Sequence, residues 1–271
     1  MEIGVLIKLK NIDMDESFKR VKELGFKYCQ LSAWDLDCFT DEMAEKINAA
    51  CKKYDIKIST FWCGWSGPSV WNFYEGPITL GLVPAEYRFQ RMQDLIKGSD
   101  FAKKLGVTNV ATHMGFLPEQ PYSKEFPEVV SAIRYVAEYC KENDQYLLFE
   151  TGQETPVTLL RTIEEVGTGN LGINLDPANL ILYGKANPVD ALDVFGKYVR
   201  DIHAKDGCYP TDGKNLGNEM PLGQGKVNVP AFVNKLKEIG YDGTLIIERE
   251  ISGEKQIQDI ISAKKLLEEL I

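Results

Sequence analysis

The chain has only two histidines among its 271 residues, His113 and His203. Any centre that needs three or more imidazoles is excluded by that count. Basic residues are also in the minority, with 31 Lys plus Arg against 40 Asp plus Glu and a formal net charge of -9. A surface built to grip nucleic acid carries the opposite balance, so no polyanionic partner is expected. The six cysteines, at 29, 38, 51, 63, 140 and 208, contain no C-x-x-C pair. That spacing makes neither a zinc cluster nor a disulfide framework. No uncharged apolar run reaches the ~18 residues of a membrane span, and no basic segment leads into an apolar one at the N-terminus. The expectation is a cytoplasmic protein with reduced thiols and no membrane contact.

What is present is an ordinary globular composition, 44% hydrophobic and 26% charged. It suits one sizeable core. Short β-branched runs recur at 3–8, 28–34, 57–64, 109–116, 146–152, 171–177, 199–206 and 244–250, each followed by a helical pattern. Several are near-continuous apolar runs, as in strands buried on both faces of a parallel sheet. Thr40 is placed to cap a helix whose first turn holds Asp41 and Glu42, and Pro84 is placed at the first position of another that Gly106 closes. Six to eight βα units of roughly 30 residues, without a composition break, and a count of eight strands predict a single-domain (β/α)8 TIM barrel over residues 1–271.

Two connections are long, 64–83 after the third strand and 207–229 after the seventh. Both lie on the strand-to-helix side, where barrels of this kind build their sites. Four strands in succession end in an acid or an imidazole: Glu150 in Leu-Leu-Phe-Glu, Asp176 in Ile-Asn-Leu-Asp, His203 in Asp-Ile-His, and Glu248 in Leu-Ile-Ile-Glu. Each lies about one βα unit from the next, plus the second long connection before Glu248. All four are therefore expected at the barrel mouth. Carboxylates brought so close repel one another unless a cation or protons compensate. One divalent metal ion held by Glu150, Asp176, His203 and Glu248 is the economical solution. Mostly oxygen ligation favours Mn2+ or Mg2+, and the imidazole keeps Zn2+, Co2+ and Fe2+ open.

The quartet resembles that of the xylose-isomerase-like barrels, which include ketose 3-epimerases, inosose isomerases and dehydratases, and endonuclease IV. The resemblance extends over essentially the whole chain. It is strongest in His-Ala-Lys-Asp-Gly at 203–207, Pro-Leu-Gly-Gln-Gly-Lys-Val at 221–227 and Gly-Tyr-Asp-Gly-Thr-Leu-Ile-Ile-Glu-Arg-Glu at 240–250. These strings look like the bacterial sugar phosphate isomerase/epimerase group. The resemblance implies a sugar isomerase or epimerase in which Glu150 and Glu248 act as the catalytic acid and base. One glutamate removes a proton beside a ketose carbonyl to give a metal-stabilised enediolate, and the other returns it. It also implies a small-molecule sugar or cyclitol as partner and a homo-oligomer, dimer or tetramer. The alternatives are a lyase that dehydrates a keto-cyclitol or keto-acid with the same groups, and a non-catalytic sugar-binding barrel. Endonuclease IV chemistry, which draws on several histidines, does not fit a chain with two.

The epimerases carry a histidine three residues after the metal aspartate, and this chain has Asn179 there. Its amide can bond a substrate hydroxyl but cannot carry a proton near neutral pH. His113 closes the fourth strand and reads as a substrate contact, with a buried histidine bonded to a backbone carbonyl, or a further metal ligand, as the alternatives. Phe61, Trp62, Trp65, Trp71, Phe73 and Tyr74 crowd the first long connection; Trp62, nearest the strand end, is expected to face the pocket. Lys205 and Asp206 are candidate substrate ligands, or else a structural pair, and Glu154 with Gln153 can reach the same cavity. The turn Gly223-Gln224-Gly225-Lys226 lies where many barrels hold phosphate on backbone N–H groups. Whether the substrate carries phosphate is left open.

Overall fold

Eight parallel strands close on one another in the computed structural model, which describes residues 1–9 and 14–271. They are β1 (Glu2–Leu9), β2 (Tyr28–Ala33), β3 (Lys57–Cys63), β4 (Asn109–Thr112), β5 (Tyr146–Glu150), β6 (Leu171–Leu175), β7 (Val199–Ala204) and, after a two-residue pair β8 (Asp206–Gly207) and β9 (Glu219–Met220), β10 (Thr244–Ile247). The order around the barrel is β1-β10-β7-β6-β5-β4-β3-β2, with β1 also pairing β2. This is a single-domain TIM barrel. The run of buried residues in β5 and β6, at Leu147–Glu150 and Leu171–Leu175, shows why the sequence reads as continuously apolar there: both faces are covered.

Helices cover the outside: α1 (Met14–Glu23), α2 (Asp41–Tyr54), α3 (Gly76–Thr79), α4 (Ala85–Lys104), α5 (Glu125–Glu142), α6 (Pro156–Val166), α7 (Pro177–Leu182), α8 (Pro188–Phe195), α9 (Val229–Glu238) and α10 (Glu254–Leu270). Local signals set several of their ends. Thr40 accepts from the Met43 amide and caps α2. Gly106, with φ +69, follows the C-cap Leu105 of α4 in the left-handed conformation that ends helices. Pro84 is the N-cap of α4, one position before the place expected for it.

The two long connections take different forms. Residues 64–84 lie over the mouth, with α3 inside them and Arg91 of α4 beneath. The Arg91 side chain is fully buried and donates to the carbonyls of Gly81 at 2.7 Å, Pro68 at 2.8 Å and Ser66 at 3.2 Å. Gly81, at φ +67, lies so close to the Met114 backbone that a Cβ would sit 2.0 Å from the Met114 carbonyl carbon. Only glycine permits that approach, and it pins the connection against the segment carrying His113. Residues 205–228 instead fold back as the antiparallel β8–β9 pair.

Candidate active site

Seven of the eight strands, all but β1, end earlier than the runs that predict them, so the chemistry-bearing residues sit within one residue of the strand ends. Glu150 is the last residue of β5, Asp176 and Glu248 each follow the last residue of their strand, and His203 is one residue from the end of β7. One ligand atom from each of these four lies within 4.8 Å of all the others. His203 Nδ1 is 3.2 Å from Glu150 Oε1, 3.6 Å from Asp176 Oδ2 and 3.1 Å from Glu248 Oε2. It is aligned for a hydrogen bond with none of them, and Asp176 Oδ2 is likewise without a hydrogen-bond partner. Buried polar atoms are seldom left so. A ring nitrogen aimed at the gap between three carboxylates, beside a carboxylate oxygen that has the Lys205 ammonium at 3.4 Å but no hydrogen bond, is what a bound divalent cation would satisfy.

Each carboxylate is held by its second set of contacts. Asp176 caps α7: its Oδ1 accepts from the Asn179 amide at 2.9 Å, which leaves Oδ2 for the centre. Thr151 locks that turn by bonding both the amide and the carbonyl of Asp176, each at 2.9 Å. Glu150 accepts from Trp62 Nε1 on one oxygen and from Asn179 Nδ2 at 3.4 Å on the other, with His113 Nε2 at 3.5 Å. Glu248 is bonded by Lys205 Nζ at 3.1 Å.

The electrostatics follow from burial and charge together. Burial by itself raises the pKa of Glu150, but the imidazoles of His203 and His113 outweigh it and hold the carboxyl below its usual range. Burial is likewise outweighed at Glu248, where Lys205 and His203 hold the pKa well down. His203 is subject to the converse. Desolvation disfavours its charged ring, yet Glu150 and Glu248 raise its pKa well above the usual value. Without a cation, protons on His203 and Lys205 compensate the three acids.

The centre forms the floor of a cavity of about 270 Å³. Its polar lining includes Lys8, Ser32, His113, Asn179 and Glu250, and Trp34, Trp62 and Trp71 form an aromatic wall. Ring centroids lie 5.0 Å apart for Trp34–Trp62 and 6.2 Å apart for Trp34–Trp71. The His113 ring meets Trp71 edge-on at 5.0 Å. Aromatic faces suit the C–H faces of a polyol, and the polar groups at the floor suit its hydroxyls.

A family model described as the xylose isomerase-like TIM barrel matches residues 18–270. The chain belongs to that family. The xylose isomerase-like fold is shared at 36% identity and TM-score 0.92 with a xylose isomerase domain protein from Planctomyces limnophilus, over 99% of this chain and 96% of that one. A D-psicose 3-epimerase crystallised in the presence of D-fructose superposes with TM-score 0.73 at 16% identity, over 100% of this chain and 99% of that one. At that identity the likeness is one of fold. An uncharacterised protein of Methanocaldococcus jannaschii is 28% identical over 192 residues, 66% of this chain and 61% of its own length.

Within this xylose isomerase-like barrel the other expected site residues fall into two groups. Trp62, His113 and Asn179 line the cavity. Lys205, Asp206 and Glu154 do not. Lys205 is buried beside the quartet, with Nζ 3.1 Å from Glu248, 3.4 Å from Asp176 and 3.3 Å from Glu250. Asp206 points into the second long connection: its two oxygens accept four backbone amides, from Gly207 at 2.8 Å, Gly223 at 3.0 Å, Gly225 at 2.9 Å and Val227 at 3.0 Å. A substrate contact by Asp206 is corrected accordingly, and so is the phosphate cradle at 223–226, because the Gly223 and Gly225 N–H groups that would hold an anion already hold this carboxylate. Glu154 is buried away from the cavity, and burial pushes its carboxyl up to about 8, against the opposing pull of the backbone amides of 152–154. Of the aromatics expected around the first long connection, Phe61 belongs to β3 and lies in the core, Trp65 is buried against Arg91, and Tyr74 is 66% exposed.

Sequence reasoning missed Lys8, Ser32, Trp34 and Glu250. Lys8 and Ser32 are one residue before the ends of β1 and β2, Trp34 follows β2 and Glu250 lies three residues past β10, close to the signal that marks the quartet, but each is a residue type common on surfaces or in cores.

Proposed function

We propose that the protein is a divalent-metal-dependent isomerase or epimerase that interconverts ketoses or related polyol carbonyl compounds, with Mn2+ as the expected ion. The observation that carries this reading is the quartet itself, four ligand atoms within 4.8 Å with His203 Nδ1 and Asp176 Oδ2 left without hydrogen-bond partners. Three oxygen donors and one imidazole nitrogen suit a small divalent cation. When bound, such an ion supplies Lewis-acid polarisation of the substrate oxygens, worth several kcal/mol.

The chain's own groups do the proton work. Glu150 and Glu248 flank the floor of the cavity, both ionised at neutral pH and so both able to accept a carbon-bound proton. Their partners differ: Glu150 is steadied by the neutral donors Trp62 and Asn179, Glu248 by the cationic Lys205. The glutamate that takes the proton can return it to the adjacent carbon. Inversion at the same carbon requires the opposite glutamate first to take up a proton from water, which it then delivers on the other face while the first glutamate keeps the proton it removed. A positioned acid–base group of this kind contributes about 10²–10⁴-fold. His113 and Asn179 offer hydrogen bonds to substrate oxygens, and the tryptophan wall keeps water from the reacting carbon. The ketose 3-epimerase among the structures of the same fold supports this assignment of substrate class.

The test is solvent exchange. With Mn2+ added, a panel of ketoses and inososes in deuterated water should take up deuterium at the carbon beside the carbonyl of the true substrate. Exchange that is indifferent to chelation of the metal would sink the reading, and loss of water from the product would reassign the protein as a dehydratase.

A further inference from the structure

Beneath the quartet, deeper in the barrel, lies a second polar cluster that the proton chemistry does not use. Asp201, on β7 two residues before His203, is fully buried. Its Oδ2 accepts from Gln30 Nε2 at 3.2 Å, Ser59 Oγ at 2.6 Å and Thr60 Oγ1 at 2.6 Å. Its Oδ1 accepts from the Ile202 amide at 3.0 Å and from Thr244 Oγ1. Consecutive residues of a regular strand face opposite sides. Ser59 and Thr60 both reach Asp201 because the β2–β3 register slips between Cys29 and Leu31, leaving two residues of β3 opposite Gln30. A second slip, between Ile173 and Asn174 in the β6–β7 pairing, brings Asn174 opposite Asp201. Two irregularities of the ladder thus converge on one cluster, and bulges beside active sites serve to re-aim side chains.

The cluster has a direction. Asp201 only accepts, so the amide nitrogen of Gln30 must face it. The second hydrogen of that nitrogen goes to Asn174 Oδ1 at 3.0 Å. The Gln30 oxygen is then turned to His203 Nε2, 2.6 Å away. An amide oxygen accepts, so Nε2 must carry a hydrogen. Asn174 Nδ2 also lies 3.1 Å from Nε2, a longer contact that this arrangement leaves as packing. With Nε2 protonated and held, Nδ1 is the nitrogen left to face the three carboxylates.

We propose that Gln30, itself oriented by Asp201, is the positioning residue that fixes the tautomer and ring plane of His203 and so presents Nδ1 to a divalent cation. The inference rests on the metal reading of the quartet and extends it to a residue of β2 that bonds none of the quartet's three carboxylates. Partners in this position are worth about 10–100-fold in metal affinity.

The two histidines make the test direct, since 15N-histidine labelling gives only two ring systems. In the Mg2+-loaded wild type, His203 Nε2 should retain a slowly exchanging proton while Nδ1 carries none; the reverse assignment overturns the proposal without any variant. Gln30→Met, which keeps the length of the side chain and removes both polar atoms, should shift the Nε2–H resonance and speed its exchange. It should also lower Mn2+ affinity by calorimetry about 10–100-fold while circular dichroism stays unchanged. Gln30→Glu can give its carboxyl proton to Asp201 and still accept from His203, so it should keep the resonance and most of the affinity. Equal loss in both variants would indicate a packing defect and overturn the proposal. The metal-free protein separates this inference from the reading it rests on. If no divalent ion binds, the quartet assignment fails, and an Nε2–H resonance that still moves on Gln30→Met upholds the Gln30 contact alone. An unmoved resonance overturns that contact whatever the metal does.

Discussion

Asp201 and the quartet are two acidic centres buried in the same barrel, and they are compensated in opposite ways. The Asp201 carboxylate accepts five hydrogen bonds from groups that carry no formal charge. The quartet places three carboxylates and an imidazole within 4.8 Å and leaves two of the facing atoms without hydrogen-bond partners. Saturation by neutral donors is how a protein keeps a single buried charge for structural purposes. Clustered acids with bare lone pairs are poised for something added from outside, a cation or a substrate proton. Asp206 belongs with Asp201: four backbone amides close its coordination and tie down residues 207–227.

The largest effect that can break this comparison is on turnover. Glu150→Gln and Glu248→Gln keep the shape of each side chain and remove its ability to take up a proton. Each should lower turnover by about 10²–10⁴-fold, with an unfolding midpoint close to that of the wild type. Steady-state rates on the substrate identified by deuterium exchange, read beside circular dichroism, decide the matter. Full activity in both variants would place the proton transfer elsewhere.

Asp206→Asn should do the reverse. An amide offers one acceptor oxygen where the carboxylate offers two, so about half of the four amide bonds lose their partner. Each buried donor left unsatisfied costs about 1–3 kcal/mol, so urea denaturation should show a loss of about 2–4 kcal/mol. Mn2+ affinity should not change, because Asp206 lies outside the cavity. A variant as stable as the wild type but unable to bind metal would place Asp206 in the functional class.

The same contrast explains what could be read from the chain. The eight strands and the quartet were legible because an apolar run that stops at an acid is a one-dimensional signal, repeated on four strands. Strand ends were overextended, as at 113–116, because apolar residues continue past the last ladder bond into the mouth. For Asp206 the sequence left a substrate contact and a structural role both open, because its partners at 223–227 come from a loop whose course depends on the β8–β9 pair. Gln30 and Asp201 were missed for a related reason. Their roles depend on two register slips, and a bulge changes which way a side chain points without leaving a mark in composition or periodicity. The glycine turn left phosphate open for the same reason, since two glycines and a lysine do not reveal that the amides are already engaged.

Glu154 supplies a third way of compensating a buried acid, and the smallest of these effects. It is 4% exposed, one of its oxygens has no hydrogen-bond partner, and burial pushes its carboxyl up to about 8 from the model-peptide value of 4.5. The proton itself is therefore the compensation. Between pH 4.5 and about 8 the folded chain holds that proton and the unfolded chain does not. The unfolded state binds fewer protons across this window, so stability falls as pH rises through it and levels off above the folded-state pKa. One pKa unit corresponds to about 1.4 kcal/mol, and with relaxation of the site the loss near neutral pH should be about 1–3 kcal/mol. Glu154→Gln is neutral at every pH and removes this dependence. Its stability should match the wild type at the acid end and exceed it progressively toward the alkaline end, as read from urea midpoints taken across the window. Parallel pH profiles would mean that Glu154 is ionised in the fold and has found a positive or hydrogen-bonding partner. It would then join Asp201 and Asp206 among the acids held by donors, and the proton would cease to be a separate solution in this barrel.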